Sequence, residues 1–311
     1  MTGAERGDIL QNSMTYGLFT GAFVMHYGAE KVGILVIPAG PGNTERQINL
    51  MRDFGTTMLH ITPSYALYVA SVMQDKGINP RKDLKLKRAY LGAEPYSEET
   101  RRKIEDMLGI DIYNCYGLTE MNGPGVGFEC KYKQGLHIWE DNFLMEVVNP
   151  ETGEPVPEGE IGELVLTTLN REAMPLIRYR TRDLTRIIAE PCKCGRTHRR
   201  ITRILGRSDD MFIVKGVNIF PQQIEQVLMS IKGVAQNYQI VLDSYDDMTV
   251  KVEIDKEIFD GKIDRLIKMK EEIIEKIRSA TLVKPKVELL EPGTLPVSEG
   301  KAKRVIDNRT I

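Results

Sequence analysis

The amino-acid sequence predicts an α/β chain: a large αβ domain with a β-rich subdomain, followed by a small mobile α+β C-terminal domain. Three observations carry this. Short apolar runs alternate with helix-period segments between Gly33 and Tyr113. A Gly/Pro-rich stretch after Asn122 interrupts that alternation and is followed by strand-like runs. A charged, glycine-bounded joint, GRSDD at 206–210, then precedes a separate pattern of helices and strands. At 311 residues the chain can bury a large core and divide in two.

The elements read as follows. The run GILVIP at 33–38 is a buried strand, and residues 44–54 form a helix with Ile48, Leu50 and Met51 on its apolar side. Residues 60–63 end a strand, 64–73 form a helix, 86–92 a strand, and a further helix starts at Ser97. Residues 110–113 give one more short strand. Such alternation predicts a mainly parallel sheet with ligands gathered at the carboxyl ends of its strands. Gly123, Pro124, Gly125 and Gly127 then break the pattern, and residues 143–148 and 163–168 read as strands joined by a turn at 149–153. After the joint, residues 222–231 and 263–280 read as helices, and 239–242, 249–254 and 286–290 as strands. The predicted domains are 1–208, including a β subdomain at about 123–205, and 209–311.

A net charge of -2 and a pI near 6.2 argue against nucleic acid or an anionic membrane as partner, leaving small molecules. No apolar run is long enough to span a bilayer and residues 1–8 are charged, so a cytoplasmic protein is expected. Four cysteines are too few for a disulfide framework. Two of them, Cys192 and Cys194, share one short segment, while Cys130 and His137 lie on another. Together they make a Cys₃His set suited to structural Zn²⁺. His198 is an alternative to His137, and buried reduced thiols are the competing reading.

The segment YNCYGLTE at 113–120 gathers a ring, a glycine, a hydroxyl and a carboxylate. Tyr116 suits stacking on a flat heterocycle, Thr119 donation to an anionic oxygen, and Glu120 the holding of Mg²⁺. With YGLTE come, in order along the chain, GAEP at 92–95, RYRTRD at 178–183, GRSDD, GVNIFPQQIE at 216–225 and GK at 300–301. This ordered set resembles the adenylate-forming acyl-CoA synthetases. The segments YGLFTG at 16–21, GNTERQ at 42–47, GLHIWED at 135–141, CKCGRT at 192–197 and LPVSEGKAKRVID at 295–307 resemble the phenylacetate-CoA ligase group within them.

The resemblance implies a two-step reaction. A carboxylate attacks the α-phosphorus of ATP to give an acyl-adenylate and pyrophosphate, and the thiol of coenzyme A then displaces AMP. It assigns Lys301 as the catalytic lysine, with Thr119 and Glu120 beside it and Glu120 holding Mg²⁺. Asp183 would accept the ribose hydroxyls, Arg207 would add a ribose or phosphate contact, and Gly92, Ala93, Glu94 and Pro95, with Tyr116 and Gly117, would wall the adenine. Asp209 would be the hinge about which the small domain swings Lys301 in and out. Phe19, Met25, Ala93, Cys115 and Pro124 would line an aryl pocket. A homodimer is also expected from the resemblance.

The sequence departs from that family in one respect: no serine-, threonine- and glycine-rich phosphate loop is found between Met1 and Ile311. The chain is therefore expected to be one part of a longer or split enzyme, completed by a missing N-terminal segment or a companion chain. Two readings stay open: an aryl-acid CoA ligase, and a non-catalytic nucleotide or acyl-CoA binding protein derived from one.

Overall fold

The computed structural model describes residues 1–17, 20–256, 258, 263–296 and 302–309. The chain forms two compact units, one of Met1–Pro95 with Ile104–Asp209 and one of Tyr96–Lys103 with Asp210–Ile311.

In the first unit, β1 (Ile9–Asn12) leads to α1 (Gly21–Val32), β2 (Leu35–Ile37), α2 (Thr44–Asp53), β3 (Met58–Ile61), α3 (Pro63–Asp75), the single turn α4 (Pro80–Asp83), β4 (Arg88–Leu91) and β5 (Asp111–Leu118); the intervening α5 (Glu98–Leu108) has its residues up to Lys103 in the second unit and the rest in the first. The helices begin where local chemistry caps them. Asn43 accepts the Arg46 amide at the start of α2, and Thr62 accepts the Tyr65 amide with Pro63 in the first turn of α3. Ile48 and Met51 of α2 are buried, as the helical period requires.

Strands β5, β4, β3, β1 and β2 lie side by side and parallel. The sheet then continues antiparallel through β6 (Gly123–Glu129), β7 (Leu136–Ile138), β12 (Arg200–Ile201) and β11 (Ile187–Ile188), making nine strands. The Gly/Pro stretch expected to break the pattern is thus strand β6. Glycine serves a close approach of β5 and β6: a Cβ on Gly117 of β5 would meet the Gly123 carbonyl oxygen at 1.9 Å, and Gly123 itself takes φ +100°. Likewise, β5 does not stop at Tyr113 but runs to Leu118.

A second sheet of four strands joins β8 (Phe143–Val148), β9 (Gly162–Thr168), β10 (Tyr179–Thr185) and β13 (Gly206–Arg207) in that order. The 143–148 and 163–168 strands pair antiparallel, as their alternating pattern indicates. The GR of GRSDD is a short strand, while Ser208 to Asp210 form the turn.

The second unit holds a hairpin of β14 (Phe212–Val214) and β15 (Val217–Ile219), α6 (Pro221–Met229), and a sheet ordered β18 (Lys286–Leu290), β17 (Thr249–Ile254), β16 (Val234–Leu242), β19 (Val305–Asp307), with α7 (Ile263–Thr281). Met269, Ile273 and Ile277, spaced four apart on α7, bury one helix face in a core with Val250, Val252 and Ile240. No helix among the described residues is long and apolar enough to cross a membrane.

Candidate functional site

The carboxyl end of β5 and the irregular strand β10 build the first unit's principal polar corner. Tyr116 of β5 is 9% exposed, its ring packed with Met121, Val126 and Leu164, and its hydroxyl donates to Asp183 Oδ2 at 2.5 Å. Asp183 stands opposite Arg207 of β13, whose Nη1 donates to Asp183 Oδ1 at 3.3 Å and to the Thr181 carbonyl at 3.2 Å. The remaining guanidinium edge forks Asp209, at 2.8 and 2.9 Å.

Burial raises the Asp183 carboxyl above its ordinary value, outweighing the help of the Tyr116 hydroxyl and Arg207. Burial, together with the charge of Asp183, also pushes the Tyr116 phenol well above the usual tyrosine range, so the phenol keeps its proton and stays a donor. A carboxylate offers about four acceptor positions. With one partner on each Asp183 oxygen named here, the group retains capacity for the two hydroxyls of a sugar diol. Tyr116 thereby gains a task its sequence did not reveal: it orients Asp183.

Nearby, Thr119 and Glu120 occupy an exposed 3₁₀ turn, Thr119–Met121. Thr20 Oγ1 donates to Thr119 Oγ1 at 3.4 Å, and the Arg171 guanidinium donates to the Glu120 carbonyl. Burial, then the charge of Glu120 and a hydrogen bond to it, raise the Tyr179 phenol. Arg171 was not singled out from sequence, and Tyr179 entered only as a member of RYRTRD.

In the GAEP segment, Gly92 has no room for a side chain because a Cβ would lie 2.8 Å from Cys115 Sγ and 2.9 Å from Cys115 O. Its bareness therefore serves close packing within the protein. Ala93 is exposed in left-handed backbone, φ +68°, and Pro95 is exposed. Glu94 Oε2 accepts both the amide of Ser64, at 3.1 Å, and its hydroxyl, which ties GAEP to the first turn of α3. Cys115 is buried, and burial with the nearby Glu129 charge pushes its thiol up to about 12, so it acts as an apolar wall. Met25 of α1 is half-buried against the same cluster. Pro124 is half-buried on β6. Phe19 and Lys301 lie outside the described residues.

A second constellation gathers the end of β6, strand β7 and the β11–β12 connection of the nine-stranded sheet. The candidate ligand atoms of Cys130, His137, Cys192 and Cys194 all lie within 4.8 Å of one another. Cys130 Sγ and Cys192 Sγ are 3.6 Å apart, and Cys194 Sγ and His137 Nε2 are 3.5 Å apart. The donors of a tetrahedral zinc centre stand about 3.5–3.8 Å apart, given Zn–S of about 2.3 Å and Zn–N of about 2.0 Å. Of the two histidines, His137 is the one gathered with the thiols, whereas His198 lies edge-on to Trp139 and 4.0 Å from Asp141. Burial raises the Cys130 thiol to about 11 and lowers His137. Burial also acts to raise Cys194, but hydrogen bonds from Arg196 and the neighbouring thiols outweigh it and bring that thiol down to about 7.

Over residues 5–170 the chain matches the AMP-binding enzyme family, and over residues 216–309 the AMP-binding enzyme C-terminal domain. It is 47% identical to a phenylacetate-coenzyme A ligase of Thermus thermophilus, covering 99% of this chain and 73% of that protein. The corresponding ligase of Escherichia coli is 41% identical over 99% of this chain and 71% of its own length. Among solved structures, a 2-hydroxyisobutyryl-CoA ligase in the postadenylation state, in complex with R3-HIB-AMP, superposes with a TM-score of 0.94 at 29% identity, covering 99% of this chain and 67% of that one.

Proposed function

Because this chain belongs to the AMP-binding enzyme family, and within it to the phenylacetate-CoA ligases, we propose that it is an ATP-dependent acid–CoA ligase acting on phenylacetate or a similar aryl acid. A carboxylate oxygen of the acid bonds to the α-phosphorus as pyrophosphate leaves. The coenzyme A sulfur then bonds to the acyl carbon as AMP leaves. The observation that carries this reading is the corner in which Tyr116 and Arg207 hold Asp183, an arrangement suited to a ribose diol. Nothing in the fold or the comparisons favours the non-catalytic reading.

Two anions must meet in the first step, so cationic help is needed where charge accumulates. We assign that part to Lys301, with Asp209 as the hinge residue. Glu120, exposed and flanked by Tyr179, would hold Mg²⁺, which supplies neutralisation of the phosphate oxygens when bound. Met25, Cys115, Ala93, Pro124 and Phe19 would contact the acid. Cys130, His137, Cys192 and Cys194 would hold a structural Zn²⁺, since four protein donors leave no open position for substrate.

Incubation with ATP, Mg²⁺, phenylacetate and coenzyme A tests the reading. Equal yields of AMP, pyrophosphate and phenylacetyl-CoA are expected. AMP formation indifferent to the acid would remove it.

A further inference from the structure

The nucleotide corner rests on a residue that touches none of its groups directly. Glu163 of β9 is 0% exposed, and two arginines reach it. Arg180 of β10 forks it, with Nε and Nη2 at 3.0 and 2.7 Å, and the Arg182 backbone amide donates to it at 3.3 Å. The Arg182 guanidinium adds an ion pair at 3.7 Å.

These bonds fall where β10 leaves regular pairing. Arg180 pairs with Val165 and Leu184 with Glu163, so β10 advances four residues (180 to 184) while β9 advances two (165 to 163). The surplus residues form a bulge, and in it Arg182 adopts φ +66°, a left-handed conformation that an arginine takes only when its surroundings impose it. Asp183 is the next residue. Its amide is held by Thr181 Oγ1 at 3.1 Å, and Thr181 Oγ1 in turn donates to the Leu164 carbonyl at 2.8 Å. Without the two surplus residues Asp183 would lie two positions out of register along β9.

We propose that Glu163 is a positioning residue: its buried carboxylate clamps the β10 bulge and so aims Asp183 at the nucleotide sugar. This rests on the reading of Asp183 as the acceptor of ribose hydroxyls. A buried carboxylate with a forked arginine is costly merely as glue, since an apolar pair could fill the space at least as stably. Its return here is the fixed bulge.

The test is the ratio of kcat/KM for ATP to that for 2′-deoxy-ATP, with phenylacetate and coenzyme A saturating. The wild-type chain is expected to prefer ATP by on the order of tenfold to a hundredfold, the worth of one charge-assisted hydrogen bond. Asp183→Asn should bring the ratio close to one, and Glu163→Gln, which keeps the side chain's shape, should follow to within about threefold of that value. Arg180→Lys, which leaves a cation but not the fork, should also lower the ratio and serves if Glu163→Gln does not fold. If both clamp variants lose activity equally with the two nucleotides and keep the wild-type ratio, Glu163 is structural only and the proposal is wrong. If Asp183→Asn itself keeps the wild-type ratio, the ribose reading fails first and takes the proposal with it.

Discussion

The carboxylate corner at Asp183 and the thiol corner at Cys130 solve opposite problems in one unit of the protein. At Asp183, negative groups are answered by the protein itself: Arg207 bridges Asp183 and Asp209, and Tyr116 donates to the first of them. At Cys130, His137, Cys192 and Cys194, three thiols and an imidazole converge, and the one cationic side chain acting on Cys194, that of Arg196, approaches from beside the cluster and does not bridge it. The first arrangement is complete without a ligand and keeps acceptor capacity for one. The second is a donor set suited to a cation. We read the first as a place for a transient partner and the second as a place for a resident one.

Substitutions can break this contrast. The largest effect is expected for Asp183→Ala, which should lower kcat/KM for ATP by about 10²–10³, the loss of two hydrogen bonds to a charged acceptor, while leaving metal content unchanged. Elemental analysis beside steady-state kinetics checks both halves. Cys192→Ser should do the reverse. Purified protein is expected to lose about one equivalent of zinc and to melt lower, by about 2–4 °C for each kcal/mol lost. Full zinc content in that variant, or none in the parent, would remove the resident-ion side of the contrast. Gly117→Ala should damage the fold itself by about 2–4 kcal/mol, because the new Cβ meets the Gly123 carbonyl across the β5–β6 pair. Thermal melting checks that.

A smaller effect sharpens the account of the first corner. Asp183 and Asp209 share Arg207 but are shifted oppositely: burial raises Asp183, while the Arg207 hydrogen bonds lower the more open Asp209. Side-chain exposures of 14% and 52% explain why desolvation wins at one and the guanidinium at the other. A raised carboxyl favours folding below its unfolded value near 3.8, and that contribution is lost as pH rises through its folded value. Asp183→Asn should therefore raise the melting temperature by about 1–3 °C at neutral pH, with the gain shrinking toward pH 4. Asp209→Asn should have the opposite sign, lowering it at neutral pH, with the loss fading as pH falls. Melting curves across pH 4–8 separate the two.

Much of the alternating body was legible because its helices and parallel strands follow apolar periods, as in α2, β3 and β4. Strand β6 was not, because glycines required by tight neighbours look the same in a string as glycines required by a loop. Strand β1 and helix α1 escaped too: β1 carries the polar Gln11 and Asn12, buried through partners elsewhere, such as Gln47 for Gln11. The same limit applied to function. Asp183 and Arg207 were picked out by the resemblance and the Cys/His set by residue type, but the Tyr116 bond to Asp183 and the Glu163 clamp depend on pairing across strands. An acidic residue in the apolar run of β9, with two arginines at alternate positions in β10, was the available signal.

Whether Asp183 holds the nucleotide sugar is decided by calorimetric titration of wild-type protein and of Asp183→Asn with a non-hydrolysable phenylacetyl-adenylate analogue. The variant is expected to bind at least tenfold more weakly, with an unaltered fold and metal content. Equal affinity in the two proteins would contradict it.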